Sequence, residues 1–412
     1  MSLLNLCNSL SEVNPMQVFE ADLISTIRSF TRAGDISEES FLDHAERVAH
    51  IAYHLGKKLA LEEAELAELV LSALLHDVGI LTTEEKLVLA DREPVRDRVS
   101  PHCRRGWQLL RPISLFRPLA ENVLEHHDYF SPGLRLIPAI IHVADRVDIF
   151  LDKGVYYLWQ VDDILEYFGK KKGDIFSPDV VEALEHIARA PSFWLDLRYG
   201  NYQYANGRAS FRRTLTIAEL EEIAHLMARI VDAKSPWTGD HSEGVAAVAE
   251  FLAHKLGMSP EKARVIKVAG LLHDIGKLAV PDEVLMHPGG LNRSQRALMQ
   301  QHTYHTYHLI RAIGPGAEQL AGWAAFHHER LNGTGYPFGL TGAQLDLEAR
   351  LMAVVDIAQS LLEDRPYRPA MSREKVISIL RNNVDAGHID PDLTELAITY
   401  IDELRDIVDK HR

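Results

Sequence analysis

The chain has 412 residues, of which 46% are hydrophobic, and this length allows two or three folded domains. Its formal net charge of −15 argues against a general nucleic-acid binder, which would present a basic face. Only Cys7 and Cys103 are present, so a disulfide framework is excluded and a reducing, cytoplasmic location is expected.

Residues 1–30 are expected to form a leader segment. The segment lacks the basic region and the unbroken apolar run of a secretion signal. No stretch of the chain approaches the roughly 20 apolar residues that span a bilayer. We therefore expect no membrane partner.

The first half begins with helices that carry histidines. From His44, apolar residues recur at Val48 and Ile51, which is the core-facing stripe of a helix. The next predicted helix ends at the pair His76–Asp77, and Gly79 follows as an expected helix stop. More histidines and an aspartate come later in this half. The candidate ligands of the first half are His44, His76, Asp77, His102, His126, His127 and Asp145.

A stretch rich in Gly, Asn and Tyr (198–208) connects this half to a second one. The second half repeats the ligand types of the first in the same order, again on predicted helices, and Gly276 follows its HD pair as the expected stop. Its candidate ligands are His241, His273, Asp274, His302, His327, His328 and Asp356.

The repeated order indicates an internal duplication. A histidine precedes each HD pair by 32 residues, and the two copies differ most between the paired His and the last Asp, by 19 against 29 residues. Few segments alternate, so an all-α fold of two tandem helical domains is predicted. The predicted boundaries are the leader at 1–30, the first copy at 31–200, a linker at 201–214 and the second copy at 215–412.

These residue types suit metal ions. One histidine on an apolar stripe is usually a core residue, but five histidines and two aspartates recurring in both halves favour ligation. Imidazoles and carboxylates bind divalent iron, manganese and zinc, and two such ions neutralise a phosphodiester and lower the pKa of a bridging water. Asp274 is the natural bridge between two ions. Lys277 presents a cation to a phosphate oxygen, or it is an ordinary solvated lysine.

Two further segments near the second ligand set are candidates for substrate contact. The loop LNGTGYP (331–337) contains glycines that allow close approach of the backbone to a ligand, although a plain long turn is the alternative. Arg365 and Arg368 follow Asp356 closely, and guanidinium groups suit phosphates and guanine edges.

The segments HDIGK (273–277), HHERLNGTGYP (327–337) and VVDIAQSLLEDRPYR (354–368) resemble the HD-GYP family of bacterial phosphodiesterases, a branch of the HD superfamily. The similarity covers about 215–412. The first half resembles a plain HD domain that lacks the GYP motif and has Ile80 in place of the lysine.

The resemblance implies hydrolysis of cyclic di-GMP to pGpG or GMP by a metal-activated hydroxide. It implies two divalent ions, with iron as the first expectation and manganese as the alternative. One ion would take His241, His273 and Asp356, and the other His302, His327 and His328. Asp274 would bridge the ions. The expected substrate contacts are Lys277, Tyr336, Pro337, Arg365 and Arg368.

Two departures from the family pattern affect these expectations. Many members have Asp three residues after the last ligand, where this chain has Gln359. A glutamate that holds a third ion in some members is Trp237 here, so two ions are expected. The first copy keeps the ligands without the phosphate-handling residues, which favours a regulatory or structural metal domain.

Three functions compete. The first is a cyclic di-GMP phosphodiesterase, with 3',3'-cyclic GMP-AMP as an alternative substrate. The second is a non-catalytic adaptor that binds the nucleotide or a diguanylate cyclase. The third is a nucleotidase, against which the GYP loop argues. The sequence leaves the oligomeric state open, and a homodimer is one candidate assembly, since such domains often pair.

Overall fold

The computed structural model describes residues 20–36, 41–91, 96–204, 213–234, 241–364 and 368–411, except for the side chains of 96 and 97. These residues form two compact units. The first unit comprises 22–214, and the second unit comprises 215–411 together with residues 20 and 21. Arg365 lies outside the described residues.

The first unit is helical. Its 3-10 helices are Arg117–Leu119 and Tyr157–Trp159. Its α-helices are α1 (Leu23–Asp35), α2 (His44–Lys58), α3 (Glu63–Leu75), α4 (Thr83–Leu89), α5 (Arg96–Leu110), α6 (Ala120–Glu125), α7 (Leu136–Phe150), α8 (Val161–Lys170), α9 (Pro178–Ile187) and α10 (Pro191–Tyr199).

The second unit is also helical. Its 3-10 helices are Ile275–Ala279 and Phe326–His328. Its α-helices are α11 (Ile217–Lys234), α12 (His241–Lys255), α13 (Pro260–Leu272), α14 (Asp282–Leu285), α15 (Arg293–Arg311), α16 (Glu318–Ala325), α17 (Leu347–Leu362), α18 (Arg373–Asp385), α19 (Pro391–Thr399) and α20 (Ile401–Lys410).

The predicted all-α fold is confirmed, because the described residues contain isolated β-bridges but no β-strand. The apolar stripes behave as the spacing predicts. Val48 and Ile51 on α2 are fully buried, as are Val245 and Val248 on α12. Burial of these stripes, each residue contributing about 1.5–3 kcal/mol, holds the histidine-bearing helices against the core.

Polar caps fix where the helices of the second unit begin. The Ser259 hydroxyl accepts the Lys262 amide at the start of α13. The Asn292 side chain caps α15 in a reciprocal capping box with Gln295. Each cap satisfies amide groups that have no partner within the helix, and each contributes about 1 kcal/mol.

Gly79 and Gly276 do not act as helix stops, contrary to the prediction. Helix α13 ends at Leu272, and Gly276 lies inside the following 3-10 helix. A Cβ on Gly276 would lie 1.9 Å from the His302 carbonyl oxygen, and a Cβ on Gly79 would lie 2.1 Å from the His102 oxygen. These glycines are needed because two backbone segments touch there.

Across the described residues, no helix combines the length and the apolar character that crossing a membrane requires.

Candidate metal centre

Five segments of the second unit converge on one point. One ligand begins α12, two follow the end of α13, one lies in α15, two lie in the 3-10 helix Phe326–His328, and one lies in α17. All seven predicted ligands therefore meet at one centre, and they are His241, His273, Asp274, His302, His327, His328 and Asp356.

The ligands fall into two groups. Atoms of His302, His327 and His328 that could bind an ion lie within 4.8 Å of one another. The corresponding atoms of His241, His273 and Asp356 satisfy the same limit. These are the two triads that the family resemblance implies, and their roles as metal ligands stay predictions.

Asp274 lies between the two triads. Its Oδ2 is 3.1 Å from His273 Nε2 and 4.0 Å from His241 Nε2, on the side of one triad. Its Oδ1 is 3.4 Å from His302 Nε2 and 4.0 Å from His327 Nε2, on the side of the other. A carboxylate in this position can join two cations, one through each oxygen.

Backbone hydrogen bonds orient three of the imidazoles. The Nδ1 atoms of His273, His302 and His327 lie 2.6–2.7 Å from the carbonyl oxygen three residues earlier in each case. Because a carbonyl only accepts, each Nδ1 carries the proton, and each Nε2 faces the centre with a free lone pair. Such an outer hydrogen bond fixes the tautomer that binds a metal ion.

The donor set fits a pair of divalent ions. Among the described residues, the buried Nε2 of His273 has no hydrogen-bond partner. A buried polar atom without a partner costs about 1–3 kcal/mol, and a bound ion would remove that cost. Neutral imidazoles and carboxylates are ligands for iron, manganese and zinc.

Burial controls the protonation of the centre. It lowers the pKa of His302, His327 and His328 to about 3, so these imidazoles are neutral. Burial opposes ionisation of Asp274 as well, but the neighbouring His273 and Lys277 side chains outweigh it and hold the Asp274 pKa well below its ordinary value. These three imidazoles and Asp274 are therefore in the forms that bind metal ions, whereas contacts with two carboxylates raise the pKa of His241 to about 9 against the effect of burial, so a bound ion would have to displace its proton.

The metal-free protein should lose stability as the pH falls below about 6.5. Since His302, His327 and His328 titrate near 3 when folded and near 6.5 when unfolded, the unfolded chain binds more protons between these values. Differential scanning fluorimetry of chelator-treated protein from pH 7 to pH 5 should show a falling Tm. An unchanged Tm over this range would contradict the burial argument.

A cavity of about 600 Å³ opens beside the centre in the second unit. Lys277 lines it along with most of the ligands, and a further wall includes residues 284, 285, 287–291 and Met299. This wall was not predicted from the sequence. The run HPGG (287–290) between α14 and α15 was the available signal, because adjacent Pro and Gly mark an irregular loop.

Only some of the predicted substrate contacts that the structure describes line the cavity. Lys277 lines the cavity, and its Nζ lies 2.5 Å from Asp274 Oδ2. Among the described residues, those that line the cavity do not include Tyr336, Pro337 or Arg368. The Tyr336 ring instead packs 4.9 Å from the ring of His328 and is joined to Pro337 by a cis peptide bond. Arg368 donates to the Ser360 carbonyl.

Glu329, which follows the paired histidines, holds the chain beyond the GYP motif. Its buried carboxylate accepts the amides of Phe338 and Gly339 at 2.7 and 3.2 Å and the amide of Leu340 at 2.9 Å. One side chain thus satisfies three backbone donors and ties this loop to the ligands His327 and His328.

Glu329→Gln should destabilise this loop. An amide accepts through one oxygen only and brings its own N–H groups against the backbone donors, which should cost about 1–3 kcal/mol. Thermal unfolding and hydrogen exchange at residues 338–340 would measure the loss. Glu318→Gln is the control, since the contact of Glu318 with Arg311 is 3.8 Å long and exposed. An equal loss of stability in both variants would contradict the role of Glu329 in holding residues 338–340.

Glu363 takes over a contact that Gln359 does not make in this structure. In the first unit, Asp148 lies three residues after Asp145 and holds His44 Nδ1 at 2.7 Å. In the second unit, Gln359 occupies the equivalent position, and Glu363 Oε2 lies 3.4 Å from His241 Nδ1 instead. Gln359 departs from the aspartate of the family pattern, and Glu363, one helical turn later, supplies the carboxylate near His241 instead.

The first unit assembles an equivalent centre around Asp77. Asp77 Oδ2 lies 3.3 Å from His76 Nε2 and 3.7 Å from His44 Nε2. Its Oδ1 lies 3.2 Å from His102 Nε2 and 3.8 Å from His126 Nε2. The carboxylate again stands between two groups of imidazoles.

The remaining predicted ligands of the first unit also reach this centre. Asp145 Oδ1 is 3.4 Å from His44 Nε2, and Asp145 Oδ2 is 3.9 Å from His127 Nε2. The same Oδ2 accepts hydrogen bonds from Arg146. The structure thus brings together all seven residues of the first set.

Comparison with known proteins finds an HD domain in each unit, at residues 41–149 and 225–393. The chain is 31% identical to 3'3'-cGAMP-specific phosphodiesterase 1 of Vibrio cholerae, over 87% of this chain and 86% of that protein. It is 28% identical to 3'3'-cGAMP-specific phosphodiesterase 3 of the same organism, over 88% and 91%. The prediction of two HD domains is confirmed.

A more partial relative is the cyclic di-GMP phosphodiesterase response regulator RpfG of Xanthomonas campestris. It is 37% identical over 39% of this chain and 43% of its own length. Among solved structures, a cyclic GMP-AMP specific phosphodiesterase of V. cholerae covers 94% of this chain and 98% of its own, with a TM-score of 0.63 and 24% identity. That likeness supports the fold.

Proposed function

We infer that this chain, which belongs to the HD-GYP family of cyclic dinucleotide phosphodiesterases, hydrolyses 3',3'-cyclic GMP-AMP. The relatives that match along nearly the whole chain carry that specificity in their names, whereas the relative named for cyclic di-GMP matches 39% of it. The alternative substrate of the sequence analysis is therefore favoured over cyclic di-GMP.

The observation that carries the reaction class is a seven-ligand centre in the wall of a cavity. A volume of about 600 Å³ lies within the range of small-molecule sites. When bound, two divalent ions supply charge neutralisation and a water of lowered pKa. Iron or manganese is proposed for this role, held by the two triads with Asp274 between them.

The residues of the chain position the phosphodiester and limit which groups can take up a proton. His302 and His327 are held neutral and in one tautomer, so they do not compete for the proton of the attacking water. Lys277 offers a cation from the cavity wall to a non-bridging phosphate oxygen. Addition of water across one P–O bond opens the ring and releases a linear dinucleotide.

The test is a product assay under anaerobic loading with Fe²⁺ or Mn²⁺. Purified protein is incubated separately with 3',3'-cyclic GMP-AMP and cyclic di-GMP, and linear products are followed by chromatography. Faster hydrolysis of cyclic GMP-AMP supports the proposal. Faster hydrolysis of cyclic di-GMP overturns the proposed substrate but leaves the phosphodiesterase reaction in place. Tight binding without any product would favour the adaptor.

Lys277→Gln should lower kcat/KM by roughly 10²-fold or more, because one cationic donor to the reacting phosphate is lost. The metal content should be unchanged, since Lys277 belongs to neither triad. Lys410→Gln, on the exposed end of α20, is the matched control. Equal activity of the two variants would assign Lys277 the role of an ordinary solvated lysine.

A further inference from the structure

A thiol lies among the clustered histidines of the first unit. Cys103 is 2% exposed, and its Sγ lies 3.6 Å from His102 Nε2. His102 Nε2 in turn lies 3.2 Å from His126 Nε2. The potential ligand atoms of His102, Cys103, His126 and His127 all lie within 4.8 Å of one another.

These separations match ligands that share one tetrahedral ion. Zinc–nitrogen bonds of about 2.0–2.1 Å and zinc–sulfur bonds of about 2.3 Å place two nitrogens about 3.3 Å apart and a nitrogen and a sulfur about 3.6 Å apart. The nitrogen pair of His102 and His126 and the pair of His102 and Cys103 have nearly these values.

A second observation points to a ligand at this site. The Nε2 of His127 is buried, and among the described residues it has no hydrogen-bond partner. An ion bound beside Cys103 would satisfy this atom, which otherwise carries the cost of a buried unpaired polar group.

The second unit has a different residue at the position of the thiol. Thr303 follows His302 as Cys103 follows His102, and its hydroxyl donates to the Gln300 carbonyl at 3.1 Å. A sulfur in place of this hydroxyl makes the donor set of the first unit softer. Soft thiolate ligands select zinc over the ions that suit the second unit.

On the other side of the first centre, the charge of the Asp145 carboxylate is already neutralised by Arg146. Arg146 Nε and Nη2 donate to Asp145 Oδ2 at 2.9 and 2.7 Å, and its Nη1 donates to the carbonyls of Leu89 and Asp91. A buried, permanently charged guanidinium fixed at this point repels a second dication. In the second unit, Ile357 follows Asp356 instead.

We propose that the first unit binds a single ion of the zinc class through His102, Cys103, His126 and His127, rather than a second catalytic pair. On binding, the Cys103 thiol gives up its proton to solvent and the sulfur becomes the fourth ligand. This inference does not rest on the proposed substrate. It assigns a structural metal to the unit that lacks Lys277 and the GYP loop.

The test loads the intact chain with Co²⁺ after treatment with a chelator and records the near-ultraviolet spectrum. Thiolate bound to cobalt gives a charge-transfer absorption, and the ligands of the second unit contain no sulfur. The band should be present in the unsubstituted protein and in Cys7→Ser. It should be lost in Cys103→Thr, which installs the residue found in the second unit.

Metal analysis of the zinc-loaded proteins completes the test. Under a chelator challenge, Cys103→Thr should release one zinc per chain that Cys7→Ser retains, with the helical circular dichroism signal retained. Absence of the cobalt band in the unsubstituted protein would overturn the proposal whether or not the variant folds. A band that persists in Cys103→Thr, or that disappears in Cys7→Ser, would overturn it as well.

Discussion

Asp274→Asn should reduce hydrolysis of the cyclic dinucleotide by at least ~10³-fold and lower the metal content of the second unit. The two oxygens of Asp274 face opposite triads, at 3.1 Å from His273 and 3.4 Å from His302. An amide keeps the shape but loses the charge that holds two cations together. Loss of about 4 kcal/mol of transition-state stabilisation corresponds to that factor.

The matched control is Asp77→Asn, which makes the same change at the equivalent position of the first unit. Hydrolysis should continue in this variant if the second unit alone carries the reaction. Single-turnover rates and metal analysis of both variants would measure the difference. Loss of hydrolysis in Asp77→Asn and retention in Asp274→Asn would reverse the assignment of roles to the two units.

The clustering of the candidate ligands could be predicted because these residue types occur in the same linear order twice. Metal ligands must be of a few residue types, and helices space them regularly, so the repeat from His44 to Asp145 and from His241 to Asp356 carried the signal. Chance does not preserve order and spacing together. The all-helical fold followed from the same apolar spacing.

Contacts between distant segments could not be predicted in this way. The cavity wall that includes residues 287–291 and the contact of Glu363 with His241 depend on how helices pack, which no local pattern records. Glu329 was visible as part of a motif, but its hydrogen bonds to residues 338–340 were not. Such roles depend on tertiary geometry and become visible only in a structure.

The two units show how one arrangement acquires different chemistry through its neighbours. The second unit adds Lys277 to the cavity wall, where the first has Ile80. The first adds Cys103 and fixes Arg146 beside its last carboxylate. The imidazoles and an aspartate placed between them are shared, so the surrounding charges and donors must account for any difference in function.

Gly276→Ala should destabilise the second unit by about 3 kcal/mol or more and disrupt its metal centre. The added Cβ would lie 1.9 Å from the His302 carbonyl oxygen and 2.7 Å from the Thr306 amide nitrogen, and neither atom can rotate away. Helix α15 must therefore move, and His302 moves with it. Two hydrogen bonds of 3.0 Å that link Thr306 to the Gly276 amide and to the His273 carbonyl would also be strained.

The size of the effect follows from its parts. Overpacking costs about 1–3 kcal/mol and each of the two strained hydrogen bonds about 1 kcal/mol, so the total of about 3–5 kcal/mol corresponds to a fall in Tm of roughly 6–20 °C for a unit of this size. Gly169→Ala is the control, because nothing lies within 4 Å of its added Cβ. Calorimetry and metal analysis should separate the two variants, and a Gly276→Ala protein that keeps both its Tm and its metal would refute the close crossing of the 3-10 helix and α15.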